Sequence, residues 1–232
     1  MDFFHLSMAE LEAIRLSLRV STWAVALSLP LGIGAAWLLS RKRFPGRQFL
    51  DGLIHLPLVL PPVVIGYLLL IGFGRNGIFG SFLYEYFGLT LAFQWTGAVL
   101  AAAIMAFPLM VRAIRLSLDN VDQNLEAAAR TLGAGPIRVF FTVTLPLALP
   151  GVITGSMLAF ARCLGEFGAT IMFVSNIPGQ TQTLPLALYT LTQVPGGEQG
   201  AMRLCLFAIV IAMLALLGSE LLARRYGKLL GG

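Results

Sequence analysis

The sequence predicts an all-α, polytopic membrane protein with five transmembrane helices, and three observations carry that expectation. Hydrophobic residues make up 57% and charged residues 12% of the 232 positions. Soluble domains carry about 25% charge, so too few polar groups exist here to cover a water-facing surface. Mean hydropathy is +0.83, and apolar stretches of spanning length recur along the chain; about 20 helical residues match a hydrocarbon core about 30 Å thick. No stretch shows the alternation over about ten residues that a barrel strand needs, which leaves helices as the spanning element.

The spans are expected at 16–39, 49–73, 93–111, 140–161 and 204–223, in a single transmembrane domain over 1–232. The first ten residues, MDFFHLSMAE, lack the basic start of a cleaved signal peptide, so the first helix is expected to be retained. The second contains Pro57, Pro61 and Pro62, which remove backbone donors and free carbonyls that protein or water must satisfy. Such a break serves either a cavity or a packing seam. Gly151 and Gly155, four apart in the fourth span, permit close helix packing. Leu184–Val194 is too short to cross and reads as an interfacial or re-entrant helix.

Orientation follows from Lys and Arg, which are retained on the cytoplasmic side. Arg41, Lys42, Arg43, Arg47, Arg112, Arg115, Arg130, Arg138, Arg224, Arg225 and Lys228 fall on one side of a five-span path, eleven of the sixteen basic residues. The other five, Arg15, Arg19, Arg75, Arg162 and Arg203, are interspersed with acids. This places the N-terminus outside and the C-terminus in the cytoplasm. A sixth span at 184–194 would carry the basic tail outside.

The search for catalytic chemistry is mostly negative. His5 and His55 have no second ligand at metal spacing, and Cys163 and Cys205 lie in apolar stretches without a C-x-x-C arrangement. Gly72, Gly74 and Gly77 match G-x-G-x-x-G formally, but they follow a hydrophobic span rather than a strand. No phosphate loop of the G-x-x-x-x-G-K-[ST] type occurs. No cofactor and no metal site are expected, and any ATP must be bound by another chain.

The informative polar segment is the loop at 119–138. Asp122 or Asn124 can cap a helix with Glu126 in its first turn, and Gly133, Gly135 and Pro136 are a helix stop. Glu126 at the start of such a helix gains about 0.3–1 kcal/mol from the helix dipole. The small residues between leave a surface that another protein can approach closely; a plain connector is the alternative. Arg162 and Glu166, four apart on a helix continuing the fourth span, can face one another. They form either a structural ion pair near the outer surface or part of an external gate.

Glu126-Ala127-Ala128, then Gly133, then Val143-x-Leu145-Pro146 resembles the EAA-x3-G-x9-I-x-LP signature of ABC-importer permeases, with Val143 in place of the usual Ile. Six positions match over 21 residues in a cytoplasmic loop before the penultimate span. Within that superfamily His55–Leu70, Arg130–Leu147 and Gly165–Pro185 are similar to molybdate permeases, and the sulfate permeases are the nearest competitor. The resemblance implies a type I ABC importer permease in the inner membrane, with ATP hydrolysis on a separate subunit. It implies a translocation path for molybdate or tungstate, and a coupling helix at 126–133 that docks on the ATPase. The partners it implies are two ATPases, a second permease copy as a homodimer, and an external oxyanion-binding protein; the bilayer surrounds it and no nucleic acid is involved. Pro57, Pro61, Pro62, Arg162 and Glu166 are the candidates for path or gate. A secondary transporter would show related halves and midspan ionisable residues, and a membrane enzyme a clustered polar constellation; the sequence displays neither.

Overall fold

Ser7 opens the first helix with a reciprocal cap. Its hydroxyl accepts from the Glu10 N–H at 3.3 Å, and the Glu10 carboxylate accepts from the Ser7 N–H at 2.7 Å, satisfying two of the donors a helix start leaves open. Helix α1 then runs over Met8–Arg41. The computed structural model describes residues 6–230; His5 and the side chains of Arg224, Arg225 and Lys228 lie outside the described residues.

The chain continues as α2 (Arg47–Val59), α3 (Pro62–Phe73), α4 (Ile78–Phe87), α5 (Trp95–Asp119), α6 (Gln123–Thr131), α7 (Pro136–Val139), a π-helical turn (Phe140–Thr144), α8 (Leu145–Leu164), α9 (Gly168–Val174), α10 (Leu184–Thr192) and α11 (Glu198–Leu230). There are no strands among the described residues. Helices Met8–Arg41, Trp95–Asp119, Pro136–Leu164 and Glu198–Gly218 are each long and apolar enough to cross a membrane. A fifth crossing is present if α2 and α3 count as one span.

That fifth element carries the break its prolines predict within 49–73. The α2 and α3 axes are bent by 112° at Leu60–Pro61. Pro61 has no N–H to continue the ladder, and Pro62 occupies the first turn of α3, where a missing donor costs nothing. Two consecutive prolines therefore end one helix and start another.

Helix α5 is the hub. The hydrophobic window of α5 is 61% buried, against 11% for α11, and α5 packs against both α1 and α8. Lipid tails are as apolar as the side chains, so helices gain little from simple hydrophobicity and must instead approach closely. The α1 face toward α5 carries Ala24, Ser28, Gly32 and Ala36 at four-residue intervals, all buried, and a methyl at Gly32 would lie 2.8 Å from Met110 Sδ. On α8, Gly155 does the same job: a Cβ there would stand 3.0 Å from the Met110 carbonyl oxygen and 3.1 Å from Ile114 Cγ1. A Cβ on Gly151 would collide with the Ser117 side chain.

At one end of the bundle, α10 packs against α1 and α11 around Ala13, Ile14, Leu184, Ala187 and Leu204. The Leu184 N–H donates to Ser17 Oγ at 2.6 Å, and Arg203 of α11 reaches Glu10 Oε1 at 2.9 Å. The short 184–194 segment is thus a helix bound to the bundle end. Gly151→Val is expected to force α5 and α8 apart at a cost of about 1–3 kcal/mol, read as a lowered midpoint of thermal unfolding in detergent. Gly34→Ala, where a Cβ would meet nothing within 4 Å, is expected to unfold no earlier than the unmodified protein.

Candidate functional site

The loop at 119–138 folds against the other end of the bundle. Asp122 caps α6 by accepting from the Asn124 N–H at 2.9 Å, and Gly133, at φ +84, lets the chain turn out of the helix. Gly135 and Pro136 then open α7.

Glu126 points inward. It is only 6% exposed, and one carboxylate oxygen, Oε1, accepts three hydrogen bonds. Arg41, the last residue of α1, donates from Nε at 3.1 Å and from Nη2 at 2.9 Å. Thr144, at the end of the π turn, donates from its hydroxyl at 2.9 Å. Arg41 Nη2 also donates to the Val121 carbonyl at 3.3 Å, while Arg130 Nη2 stands 3.8 Å from Oε2. One buried carboxylate therefore joins α6 to the end of α1 and to the start of α8. Breaking a charge-assisted network of this kind costs more than losing the helix-terminus effect expected from sequence.

The π turn explains how Thr144 arrives there. Pro146 lacks an N–H and its ring crowds the carbonyl four residues earlier. Upstream the helix widens, and the Leu145 N–H bonds to Phe140 O instead of Phe141 O. The Leu145-Pro146 pair thus sets a local over-wide turn that ends on Thr144, a form common at functional sites. Val143 and Leu145 are half-buried, and Leu145 packs against the main core.

The opposite face of this loop is open. Ala127 and Ala128 are exposed, as are Leu125 at 49%, Leu132 at 88% and Ile137 at 74%. Around Gly133 a Cβ would meet nothing within 4 Å. These three large apolar side chains bury little within the chain and are available for contact from outside.

At the far end, Arg162 and Glu166 do pair, with Nη1 and Oε2 2.7 Å apart. Glu166 is 3% exposed, and its Oε1 accepts from the Ala169 N–H at 2.9 Å, so it also caps α9. Helix α9 packs against α3. A Cβ on Gly168 would lie 2.8 Å from Pro62 Cβ, and one on Gly66 2.8 Å from Met172 Cβ. The structure therefore brings Pro62, at the break in the second span, against Gly168, two residues after Glu166. Pro57 is apart from them, in an apolar groove with Trp23, Leu27, Trp95 and Phe107.

Several partners escaped the reading of the sequence. Thr144 lies within the quoted signature at an unspecified position, and Arg41 was legible only as one member of a basic run. Asp51 of α2 meets Arg115 of α5 at 3.0 Å, a polar tether for a helix with no buried residue of its own. The loop before α10 is held by Asn176, Gln182 and Thr190: Asn176 Nδ2 donates to Thr190 Oγ1 at 2.8 Å, and Gln182 Nε2 to Asn176 Oδ1 at 3.0 Å.

Residues 28–227 match the family described as the binding-protein-dependent transport system inner membrane component. The chain is 66% identical over 215 residues to the molybdenum transport system permease protein ModB of Escherichia coli strain K12, covering 93% of this chain and 94% of that one. It is 61% identical over 222 residues to ModB of Haemophilus influenzae, covering 96% and 97%. Among solved structures, a bacterial ABC transporter involved in the import of the acidic polysaccharide alginate superposes with a TM-score of 0.76. That match has 16% identity and covers 97% of this chain and 83% of that one, so it establishes the fold alone.

Glu126→Ala would leave the Arg41 guanidinium, whose side chain is 10% exposed, without its counter-charge. Removing one member of a buried pair costs about 3–5 kcal/mol. The variant is expected to unfold at lower temperature and to expose the 122–135 loop to protease. Arg41→Met combined with Glu126→Leu removes both charges and should lose less stability than the two single changes added together. Additive losses would refute the coupling between these side chains.

Proposed function

We propose a transport role from an established premise: the chain belongs to the family of binding-protein-dependent transport system inner membrane components. It is a multi-pass inner-membrane permease of the ABC importer type, and we read its cargo as molybdate. The relatives that match it along nearly its whole length are named for molybdenum transport.

The observation that carries the mechanism is the Glu126 junction. Helix α6 is short and capped, and it is pinned through one carboxylate to α1 and to the π turn that leads into α8. A push on α6 then moves two long helices as a body, where a flexible loop would absorb it. The outer face, with Leu125, Leu132 and Ile137 around Ala127, Ala128 and Gly133, is the docking surface for a separate ATPase. Val143, Leu145 and Pro146 act from the other side, shaping the turn that carries Thr144. The chain itself has no phosphate loop.

A dianion is costly in hydrocarbon, so its path must offer protein dipoles, with N–H groups and helix N-termini as donors. The broken α2–α3 span, with Pro57, Pro61 and Pro62, supplies freed backbone groups for that path. The Arg162–Glu166 pair at the start of α9 serves as its external gate, since α9 lies against α3. One copy has too few helices to enclose a gated path, and a two-fold homodimer is the commonest closed arrangement. The assembly is two permeases, two ATPases and an external oxyanion-binding protein. The N-terminus faces outward and the C-terminus and α6 face the cytoplasm, following the basic residues.

Cells relying on this permease and its ATPase should take up labelled molybdate in the presence of excess sulfate; sulfate transport in its place would reassign the cargo. A reporter fused after Gly232 should be cytoplasmic and one within 179–197 external, and both on one side would refute the topology. Gly133→Leu forces a branched side chain into a positive φ and onto the docking face. Uptake should fall to background and ATPase co-purification should weaken, with membrane abundance unchanged. Normal uptake by Gly133→Leu would reduce this loop to a connector.

A further inference from the structure

Beside the docking face of α6, and sharing Ala127 with it, lies a second feature whose free cations the coupling junction does not use. A cavity of about 1240 Å³ opens between the end of α1, the turn into α2, α6 and the π turn. Its polar wall carries Arg41, Lys42, Arg43, Arg47 and Arg130 against a single carboxylate, Glu126, and that carboxylate is already held by Arg41 at 2.9 Å. Lys42, Arg43 and Arg47 take part in no ion pair among the described residues. Lys42 and Arg43 are exposed, and Arg47 is half-buried at the start of α2.

The other wall is aromatic. Trp37, one turn back along α1, stacks edge-on against Phe140 with centroids 5.8 Å apart, and Lys42 Nζ lies 5.6 Å from the Trp37 ring. Both rings line the cavity. The concavity thus grades from apolar rings on the spanning helices to unpaired cations at the point where α1 leaves and α2 re-enters the bundle. A free inorganic anion would use only the cationic wall, and an acidic protein segment has no need of the aromatic one. Both walls together fit an amphiphile with an anionic head.

We propose that this cavity binds the headgroup of an anionic phospholipid from the cytoplasmic leaflet, with Arg43 and Arg47 on the phosphate and the Trp37–Phe140 wall against the glycerol and upper acyl chain. The inference rests on the cytoplasmic placement of this end proposed above, which the fusion reporters test separately. A lipid held here touches α1, α2 and α6 together, so it would stiffen the junction through which α6 moves.

The test uses the permease co-purified with its ATPase, exchanged into detergent with phosphatidylglycerol or phosphatidylcholine of matched chains, with retained lipid counted by native mass spectrometry. The unmodified complex should retain phosphatidylglycerol in preference to phosphatidylcholine. Arg43→Gln combined with Arg47→Gln should cut that preference about thirty-fold, the factor expected for two basic residues near an anionic headgroup. Arg138→Gln, an exposed cation outside the cavity, should leave it unchanged. On the unmodified complex the preference should also collapse as salt rises from about 0.05 to about 0.5 M. Equal retention by the double variant would overturn the proposal, as would displacement of the lipid by millimolar inorganic phosphate, which would mark a free-anion site. Loss of the ATPase from the double variant with lipid retention intact would overturn it too, by assigning the cations to the subunit interface.

Discussion

A carboxylate buried at the edge of a membrane protein is stable only if it finds donors, and Glu126 meets that constraint at Oε1 by drawing two other chain segments onto its own helix. Arg41 comes from the end of the first long helix, Thr144 from the turn before the eighth helix, and the carboxylate from the short helix between. The desolvation cost of the two charges is offset because Oε1 is fully used and Arg41 also finds the Val121 carbonyl. A geometry this determined makes α6 a rigid extension of the bundle. Without it, α6 would hang between two flexible connections, and its exposed leucines would have nothing stiff to push against.

Packing within the bundle answers a different demand. With lipid outside and side chains of similar polarity inside, association relies on contact distance. The small residues of α1 and the two glycines of α8 bring α1, α5 and α8 close enough for their backbones to approach. Those three helices are also the ones that the Glu126 junction and the Ser40–Asp119 hydrogen bond tie at their ends. The rigid part of the molecule is therefore one contiguous block with α6 fastened to it.

The broken span lies outside that block. Helix α2 has no fully buried residue, and its polar tether to α5 runs through Asp51 and Arg115. Helix α3 instead packs on α9, glycine against backbone and Pro62 against Gly168. A two-proline joint separates the two halves: α2 stays at the periphery, while α3 contributes Ile65 and Leu69 to the core.

Much of this was legible in the sequence. Long apolar stretches without strand alternation determined an all-helical membrane chain, because backbone groups in lipid can be satisfied only within helices or a closed barrel. The cap at Asp122, the stop at Gly133, and the facing of Arg162 and Glu166 four residues apart are local regularities, and local spacing translates directly into geometry. The direction of Glu126 was not legible: its partner Arg41 lies 85 residues away, and whether the side chain points to a partner protein or into its own bundle depends on where α1 ends in space. The same holds for the angle at Pro61, where two prolines require a break but leave its size to the helices packed on either side. Pro62 meets Gly168 only because α9 folds back over α3, a long-range contact that no periodicity encodes. Sequence settled the long spans and the local caps, though not the short helix α4; tertiary packing decided which segments meet, since that choice is made by the fit of whole helices rather than by any one residue.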